Sequence, residues 1–139
     1  GFPGMRVFQF AFLSDYHSPH LPHSYPEHCV AYTGTHDNNT LLGFVWEQDA
    51  ESRHRMLDYC NYTDPNWDRC YDAILRTMLQ SHAGLVIFPV QDLLGYGADT
   101  RMNTPGRAGG NWAFRMTRES LAAIDRKRFL HLNTIYGRT

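Results

Sequence analysis

The chain has 139 residues, a formal net charge of -1 and 19% charged side chains. This length suffices for one domain with a hydrophobic core. Basic residues are scattered, and the one short run, Arg126-Lys127-Arg128, is typical of the solvated face of a helix. The composition therefore disfavours a nucleic-acid-binding protein. No apolar run is long enough to predict a membrane span.

The cysteines predict the compartment. Cys29, Cys60 and Cys70 are scattered and form no Cys-x-x-Cys pair. An odd number of such thiols favours a reducing compartment without a disulfide framework, and no signal-peptide pattern opens the chain. We therefore expect a cytoplasmic protein. Because the sequence lacks an initiating Met and starts almost directly with a strand, we also expect it to be part of a longer protein.

The first predicted strand covers residues 5–12, after a turn at Phe2-Pro3-Gly4. From Val7 on, its positions are apolar on both alternating sets, apart from Gln9, so we expect both faces to be covered, as in a parallel sheet. Residues 13–28 follow as an irregular segment, since prolines interrupt any regular structure. An unstructured segment of this length in a compact domain is usually functional.

Four histidines lie in that segment: His17, His20, His23 and His28. With Cys29 beside them they allow a metal site. Zinc ligands two or three residues apart normally lie on a knuckle or a helix, however, and the prolines oppose a helix. Histidines that bond the backbone or ligand hydroxyls are the favoured interpretation, and the metal site remains an alternative.

The densest polar cluster follows the second predicted strand, Val30-Ala31-Tyr32. Gly34 allows a turn, and Thr35, His36, Asp37, Asn38, Asn39 and Thr40 then follow in succession. Enzymes with parallel α/β sheets present catalytic groups at the carboxyl ends of strands. A plain polar turn is the alternative, because Asn and Asp are common turn formers. The pattern alone leaves both interpretations open.

Helices are predicted between and after the strands. The first covers residues 41–61. The second begins at Pro65 with Asp64 as its N-cap, and Gly84 would end it. The last begins after Thr117 as N-cap, runs to about Tyr136, and Gly137 would end it.

The third predicted strand covers residues 85–90 and is apolar throughout, which favours burial on both faces. Gln91 and Asp92 follow at its carboxyl end, and a loop rich in Gly and Asn with Trp112 comes next. Strands that alternate with helices predict a parallel α/β sheet.

The residue types at the strand ends favour a sugar polymer as ligand. Asp, Asn, Gln, His and Thr suit sugar hydroxyls, and aromatic side chains in the loops suit sugar rings. The aromatics concerned are Tyr16, Tyr25, Tyr96 and Trp112. A glycosidase needs two carboxylates at a defined separation. The available ones are Asp37 and Asp92, with Asp15 in the first loop, and no convincing nucleophile and acid pair follows from these three.

Five sequence blocks, in one order, resemble the C-terminal part of the 4-α-glucanotransferases, also called amylomaltases. They are Gly1-Phe2-Pro3-Gly4-Met5-Arg6-Val7-Phe8-Gln9-Phe10-Ala11-Phe12, Leu21-Pro22-His23-Ser24-Tyr25-Pro26, Tyr32-Thr33-Gly34-Thr35-His36-Asp37-Asn38, Gln91-Asp92-Leu93-Leu94-Gly95, and Arg101-Met102-Asn103-Thr104-Pro105-Gly106 with Gly110-Asn111-Trp112. Several long motifs in one order are far more specific than one short pattern.

The resemblance implies a fold and a reaction. The fold is α/β: this chain would supply the last three β/α units of a (β/α)8 TIM barrel, so that residues 1–139 form the C-terminal part of a catalytic barrel. Family enzymes transfer α-1,4-glucan segments between maltodextrins by a retaining double displacement. An Asp forms the covalent glycosyl-enzyme, and a Glu is the acid/base. Both would lie upstream, so we expect the isolated chain to be inactive. No metal or organic cofactor is implied.

The resemblance also implies site residues. Asp37 matches the family's second Asp, which stabilises the transition state, and His36 matches the neighbouring His, which binds hydroxyls of the same sugar. Further substrate-binding residues would be Asn38, Asn103, Pro105, Trp112, Gln91, Asp92, His23 and Tyr25, although Tyr25 suits packing equally well.

The chain departs from the family at two points. Asn39 stands where many members carry Asp, and Arg107-Ala108-Gly109 stands where Thr-Ala-Glu is usual, so two acidic groups are absent. The expected partners are α-1,4-glucans such as maltooligosaccharides, with neither nucleic acid nor membrane. A non-catalytic α-glucan-binding module and a histidine-loop metalloprotein remain as alternatives.

Overall fold

A three-stranded parallel sheet lies at the centre of the computed structural model, which describes residues 1–13 and 16–139. The strands are β1 (Gly4–Val7), β2 (Cys29–Tyr32) and β3 (Leu85–Ile87), in the order β1-β2-β3. Both pairs are parallel. The predicted parallel α/β sheet is thus confirmed. Asp15, one of the three carboxylates considered above, lies outside the described residues.

Six α-helices accompany the sheet within the described residues. They are α1 (Leu41–Glu47), α2 (Ala50–Tyr59), α3 (Cys70–Gln80), α4 (Val90–Leu93), α5 (Arg118–Ala122) and α6 (Arg126–Ile135). The core lies between the helices and one face of the sheet, and its largest fully buried side chains include Phe8, Leu41, Met56, Ile74, Leu75 and Met78. No helix of the described residues is long and apolar enough to cross a membrane.

The outer strands are shorter than predicted. β1 ends at Val7, and Phe8–Phe10 form a 3-10 turn. Phe8 and Phe12 pack edge to face at 5.3 Å between ring centroids. β3 ends at Ile87, and Val90 already begins α4. The predictions of strands over residues 5–12 and 85–90 are wrong at their carboxyl ends, because an apolar run indicates burial but does not by itself define the backbone conformation.

The predicted helix over residues 41–61 is two helices. Asp49 is extended at the break, with ψ 165°, and its side chain accepts a hydrogen bond from the Ser52 backbone N–H at 2.8 Å. The Arg53 side chain bridges the two helices by donating to the carbonyl oxygens of Val45 and Gln48. Asp is a preferred N-cap residue, because its side chain accepts a hydrogen bond from a free N–H at the start of a helix.

The start and the end predicted for the second helix are also wrong. Asp64 accepts from the Asn66 N–H in a local turn, and α3 begins only at Cys70. Gly84 does not end α3, whose last residue is Gln80. The Gly84 N–H donates to the Glu27 carbonyl at 2.8 Å, and a Cβ on Gly84 would lie 2.8 Å from that oxygen. Gly84 is therefore a point of close backbone approach.

The last predicted helix has the expected caps but is interrupted. Thr117 accepts from the Ser120 N–H, and Gly137 ends the helical segment with a φ of +68°. Between them α5 stops at Ala122, and Asp125 caps α6 by accepting from the Arg128 N–H. Arg128 also pairs with Asp72 of α3 at 2.6 Å, so the basic run is not wholly solvated.

One face of the sheet is largely uncovered by the described residues, with Val7 at the end of β1 as a buried exception. Parallel partners in register direct their side chains to the same face, and Met5 pairs with Val30, which pairs with Leu85. On this face the exposed fractions are 54% for Met5, 51% for Leu85 and 43% for Ile87. The prediction that the outer strands are buried on both faces is wrong within this chain.

Candidate active site

A cavity of about 650 Å³ lies at the carboxyl ends of the strands. Its wall is formed by the segment after β2, by the residues after β3 and by part of the loop that follows α4. The lining residues are Met5, Tyr32, Gly34, Thr35, His36, Asp37, Asn38, Asn39, Thr40, Ile87, Phe88, Pro89, Gln91, Asp92, Arg101 and Met102. Polar groups are thus gathered at the edge where parallel sheets bind ligands.

The segment after β2, residues 33–40, is called the site loop below. Asn38 shapes it from within: its Oδ1 accepts from the Thr35 backbone N–H at 2.8 Å and from the Thr35 hydroxyl at 2.9 Å. The Asp37 N–H donates to the Thr35 hydroxyl oxygen at 3.2 Å. The two interpretations of this stretch are therefore compatible, since a side-chain-stabilised turn presents His36 and Asp37.

The Asp37 carboxylate is half exposed and contacted by two side chains, and a third holds the Asp37 backbone. Its side chain is 50% exposed, and its Oδ1 lies 3.2 Å from His36 Nε2. Asn103 Nδ2 donates to the same oxygen at 2.7 Å, and Arg101 Nη2 donates to the Asp37 carbonyl at 2.8 Å. Among the described residues both side-chain contacts go to Oδ1, which leaves Oδ2 available to a ligand.

Trp112 places an aromatic ring beside His36, the sequence neighbour of Asp37. Its ring centroid lies 5.3 Å from that of His36, with the planes tilted by 36°. The ring is half exposed, and the residue has a φ of +61°, which is uncommon for a side chain of this size. The Trp112 N–H donates to the Met102 carbonyl at 2.6 Å, and the Asn111 amide bonds Thr104 and Arg107 within the same loop.

Asp92 and Gln91 line the cavity but are largely buried. Asp92 is 2% exposed, and its oxygens accept from the Thr33 hydroxyl at 2.5 Å and from the Leu41 N–H at 2.8 Å. Burial raises the pKa of Asp92 above its ordinary value, and these two hydrogen bonds oppose the rise. Gln91 donates to the Thr100 carbonyl at 3.2 Å.

Five predicted substrate-binding residues lie outside the cavity lining. Asn103 and Trp112 contact Asp37 and His36, as described above, whereas Tyr25, His23 and Pro105 lie elsewhere. Tyr25 is buried in the core, where its hydroxyl donates to the His20 carbonyl at 2.8 Å. His23 lies 2.9 Å from the Tyr59 hydroxyl, and Pro105 is exposed in the loop between α4 and α5. Of the two interpretations of Tyr25, the structure places it in packing.

The histidine segment makes local contacts with the backbone. His20 Nδ1 accepts from the Val7 N–H at 3.0 Å, and His28 Nε2 lies 3.0 Å from the Gly1 carbonyl. Within residues 1–13 and 16–139, no group of three or more His, Cys, Asp or Glu side chains is arranged to hold a metal ion. The interpretation of backbone-bonding histidines is confirmed for His20 and His28.

Two residues at the site have no role in the sequence-based prediction. Gln9 is 2% exposed, and its Nε2 donates to the Asn39 carbonyl at 2.9 Å. A lone polar residue in an apolar run is a usable signal, because buried polar groups require partners. Arg101 joins Asp37 to the Asn103 carbonyl, but no spacing in the sequence indicates that contact.

The fold and the site define the class first: a parallel α/β protein whose polar and aromatic groups meet at the carboxyl ends of its strands. The family follows from comparison with known proteins. The glycoside hydrolase 77 family model, described as 4-alpha-glucanotransferase, matches residues 1–121. The chain therefore belongs to the 4-alpha-glucanotransferase family, as its sequence blocks predicted.

Individual relatives agree with this assignment. A 4-alpha-glucanotransferase of Streptococcus pneumoniae is 42% identical over 99% of this chain, and the match spans 27% of the relative. A chloroplastic/amyloplastic 4-alpha-glucanotransferase of Solanum tuberosum is 40% identical over 82% of this chain and 19% of its own length. The amylomaltase of Streptococcus agalactiae in complex with acarbose superposes with a TM-score of 0.89, 37% identity and coverage of 99% of this chain and 28% of that structure. The chain thus spans about a quarter of the length of these bacterial proteins.

Proposed function

We propose that this chain supplies the last three β/α units of the (β/α)8 catalytic barrel of a 4-α-glucanotransferase. The whole enzyme would transfer α-1,4-glucan segments between maltodextrins by a retaining double displacement. The observation that carries the proposal is the half-exposed Asp37 carboxylate, held by Asn103 beside His36 at the carboxyl end of β2. Family membership and the acarbose complex of the similar S. agalactiae amylomaltase support an α-glucan as substrate.

Asp37 would stabilise the transition state. A carboxylate oxygen that accepts hydrogen bonds from ring hydroxyls binds more strongly as the sugar distorts and positive charge develops at the anomeric carbon. His36 and Asn38 would bind hydroxyls, and the exposed Trp112 ring would pack against a sugar. Asn103 would act on the substrate through Asp37, because its amide is bonded to that carboxylate.

The nucleophile and the acid/base would come from outside these 139 residues. Retaining glycosidases require two carboxyl groups about 5–5.5 Å apart across the scissile bond. Among the described residues that line the cavity, the carboxylates are Asp37 and Asp92, and Asp92 is buried with both oxygens hydrogen-bonded. The isolated chain would therefore be catalytically inactive.

The test is a graft. This chain replaces the matching segment of the S. pneumoniae relative, and transfer between maltotriose molecules is measured. We expect the graft to be active, Asp37→Asn to lower kcat by at least about a hundredfold with a smaller change in KM, and the isolated chain to release no glucose above a boiled control. Asp49→Asn is the matched control, because Asn also caps a helix. Transfer by the isolated chain, or full activity of the Asp37→Asn graft, would contradict the proposal.

A non-catalytic α-glucan-binding module is the second candidate. The observation in its favour is that the described residues include the aromatic and hydroxyl-binding groups but no accessible carboxylate pair at the cavity. Calorimetric titration of the isolated chain with maltoheptaose separates the two. Tight binding favours the module, and undetectable binding favours an incomplete barrel.

We place the protein in the cytoplasm on the strength of its three buried free thiols, Cys29, Cys60 and Cys70. The potato relative carries a plastid designation, so the compartment varies within the family. Localisation of a tagged full-length protein by microscopy tests this placement.

A further inference from the structure

Buried polar side chains gather beneath the site loop. Those with less than a tenth of their surface exposed, in this loop or hydrogen-bonded to it, are Gln9, Thr33, Asn39, Thr40 and Asp92. Burying a polar group is costly unless hydrogen bonds replace its water. Such a concentration under one short segment, which carries His36 and Asp37, indicates that the shape of this segment is closely specified.

Asp92 joins the two ends of the site loop. Its Oδ2 accepts from the hydroxyl of Thr33, the first residue of the loop, and its Oδ1 accepts from the N–H of Leu41, the first residue beyond it. One carboxylate from α4 therefore closes a segment of eight residues. Asp92 is 2% exposed and both of its oxygens already accept hydrogen bonds, so little of the carboxylate is left for a sugar hydroxyl.

Gln9 holds the same loop from the other side. Its side chain donates to the Asn39 carbonyl at 2.9 Å, and its backbone N–H donates to the Thr33 carbonyl at 3.2 Å. A Cβ on Gly34 would lie 2.6 Å from Gln9 Nε2, so Gly34 permits the amide to reach the loop. The loop is thus attached to the turn after β1 and to α4 independently.

We propose that Asp92 is a positioning residue, assisted by Gln9, that sets the shape of the site loop and thereby the place of the Asp37 carboxylate. This assigns Asp92 a role different from the substrate contact that the family resemblance implied. The proposal rests on the proposed function, because Asp37 is the group being positioned.

Hydrogen-bond chemistry provides a diagnostic pair of variants. In Asp92→Asn the Oδ1 still accepts from Leu41, and Nδ2 can donate to the Thr33 hydroxyl oxygen, which also accepts. Asp92→Ala loses both bonds and leaves the buried Thr33 hydroxyl and Leu41 N–H without partners. A positioning residue is therefore rescued by Asn, whereas a carboxylate that binds substrate or carries charge in the reaction is not.

The kinetic test uses the graft described above. We expect Asp92→Ala to lower kcat by roughly tenfold to a hundredfold, because displacing a catalytic group by about 1 Å has effects of that size. The KM of the Asp92→Ala variant should stay within about threefold of the parent. The kcat and KM of the Asp92→Asn variant should stay within about the same range. Leu75→Ala, a core change on α3 outside the cavity lining, controls for lost stability when rates are compared at equal distance below Tm. An Asn variant as impaired as the Ala variant, or equal losses in Leu75→Ala, would overturn the proposal.

A second readout does not depend on activity. Amide hydrogen exchange in the ¹⁵N-labelled 139-residue chain reports the Leu41 N–H directly. We expect Asp92→Ala to abolish the protection of the Leu41 amide and to shift the His36 and Asp37 amide resonances. In Asp92→Asn and Leu75→Ala, we expect the Leu41 protection, corrected for global stability, and the two resonances to be preserved. Unchanged Leu41 protection in Asp92→Ala would refute the positioning role. An inactive parent graft would instead count against the proposed function, and the exchange result alone would then decide the role of Asp92.

Discussion

His20 shows how a single side chain attaches a long loop to the sheet. Its Nδ1 accepts from the Val7 N–H where β1 ends, and its ring packs edge-on against Phe10 at 5.4 Å between centroids. Burial, and then the charge of Arg6, lowers the pKa of His20 below its ordinary value of 6.5. The folded chain therefore favours the neutral ring, because a protonated Nδ1 cannot accept this hydrogen bond.

The sign of the resulting pH dependence follows from proton binding. Below pH 6.5 the unfolded chain takes up the proton of His20 before the folded chain does, so the contribution of His20 to stability is lost as the pH falls. His20→Asn keeps an acceptor but cannot titrate. We expect wild-type Tm to fall relative to this variant as the pH is lowered from about 7.5 to about 5, measured by circular dichroism.

The exposed His82 provides the control for this experiment. His82→Asn removes a histidine without removing a backbone contact to β1. If the Tm difference from wild type has the same pH profile in both variants, the contact between His20 and Val7 is not the source of the effect.

At the scale of elements, the carboxyl end of α3 is capped by Arg138, although the sequence predicted Gly84 for that role. The Arg138 guanidinium donates to the carbonyl oxygens of Leu79 at 2.7 Å, Ser81 at 2.6 Å and Ala83 at 2.8 Å. The last carbonyls of a helix lack partners within the helix, and a cation at that end interacts favourably with the helix dipole. Arg138 therefore caps the last turn of α3 through Leu79 and holds the segment that leads into β3 through Ser81 and Ala83.

Removing this side chain should destabilise the chain measurably. We expect Arg138→Ala to lower the free energy of unfolding by about 2 kcal/mol, since several hydrogen bonds from a charged donor are lost. Arg138→Lys should recover only part, because an ammonium group lacks the planar fork. Urea denaturation measures both, and Arg118→Ala at an exposed position of α5 is the control. An Arg138→Ala midpoint equal to that of the control would contradict the capping role.

At the scale of the whole molecule, the sheet has an uncovered apolar face and two edge strands. Met5, Leu85 and Ile87 lie exposed on that face, and β1 and β3 each pair on one side alone within the described residues. Exposed apolar patches and unpaired edges favour association. In the proposed barrel this face would form the interior, which barrels fill with apolar side chains.

The isolated chain should therefore self-associate. We expect sedimentation velocity to show species that grow with protein concentration, and Leu85→Thr with Ile87→Thr to shift them towards monomer, because Thr keeps strand propensity while reducing apolar surface. Leu130→Thr with Ile135→Thr changes two exposed apolar residues on α6 and serves as the matched pair. A monomer at every concentration, or equal effects of both pairs, would rule out the sheet face as the contact.

The sequence by itself determined the features that arise from neighbouring residues or from long motifs. It predicted the parallel α/β sheet, β2, the Thr117 cap and the Gly137 end, and it placed the chain in its family. Caps and turns depend on side chains three or four residues away, so a local pattern is enough to find them. Several long motifs in one order rarely occur by chance, whereas a single short motif often does, so the ordered set identifies the family.

Only the tertiary structure decided the features that depend on distant residues. The early ends of β1 and β3 are visible only in the structure. The core position of Tyr25 and the function of Gly84 depend on partners far along the chain, such as Met78 and Glu27. Asp92 is the clearest case, because its partners Thr33 and Leu41 are 59 and 51 positions away. A carboxylate at a strand end has the same appearance in sequence whether it faces a ligand or ties a loop. What separates the two is burial and the direction of its hydrogen bonds, and both are properties of the folded chain.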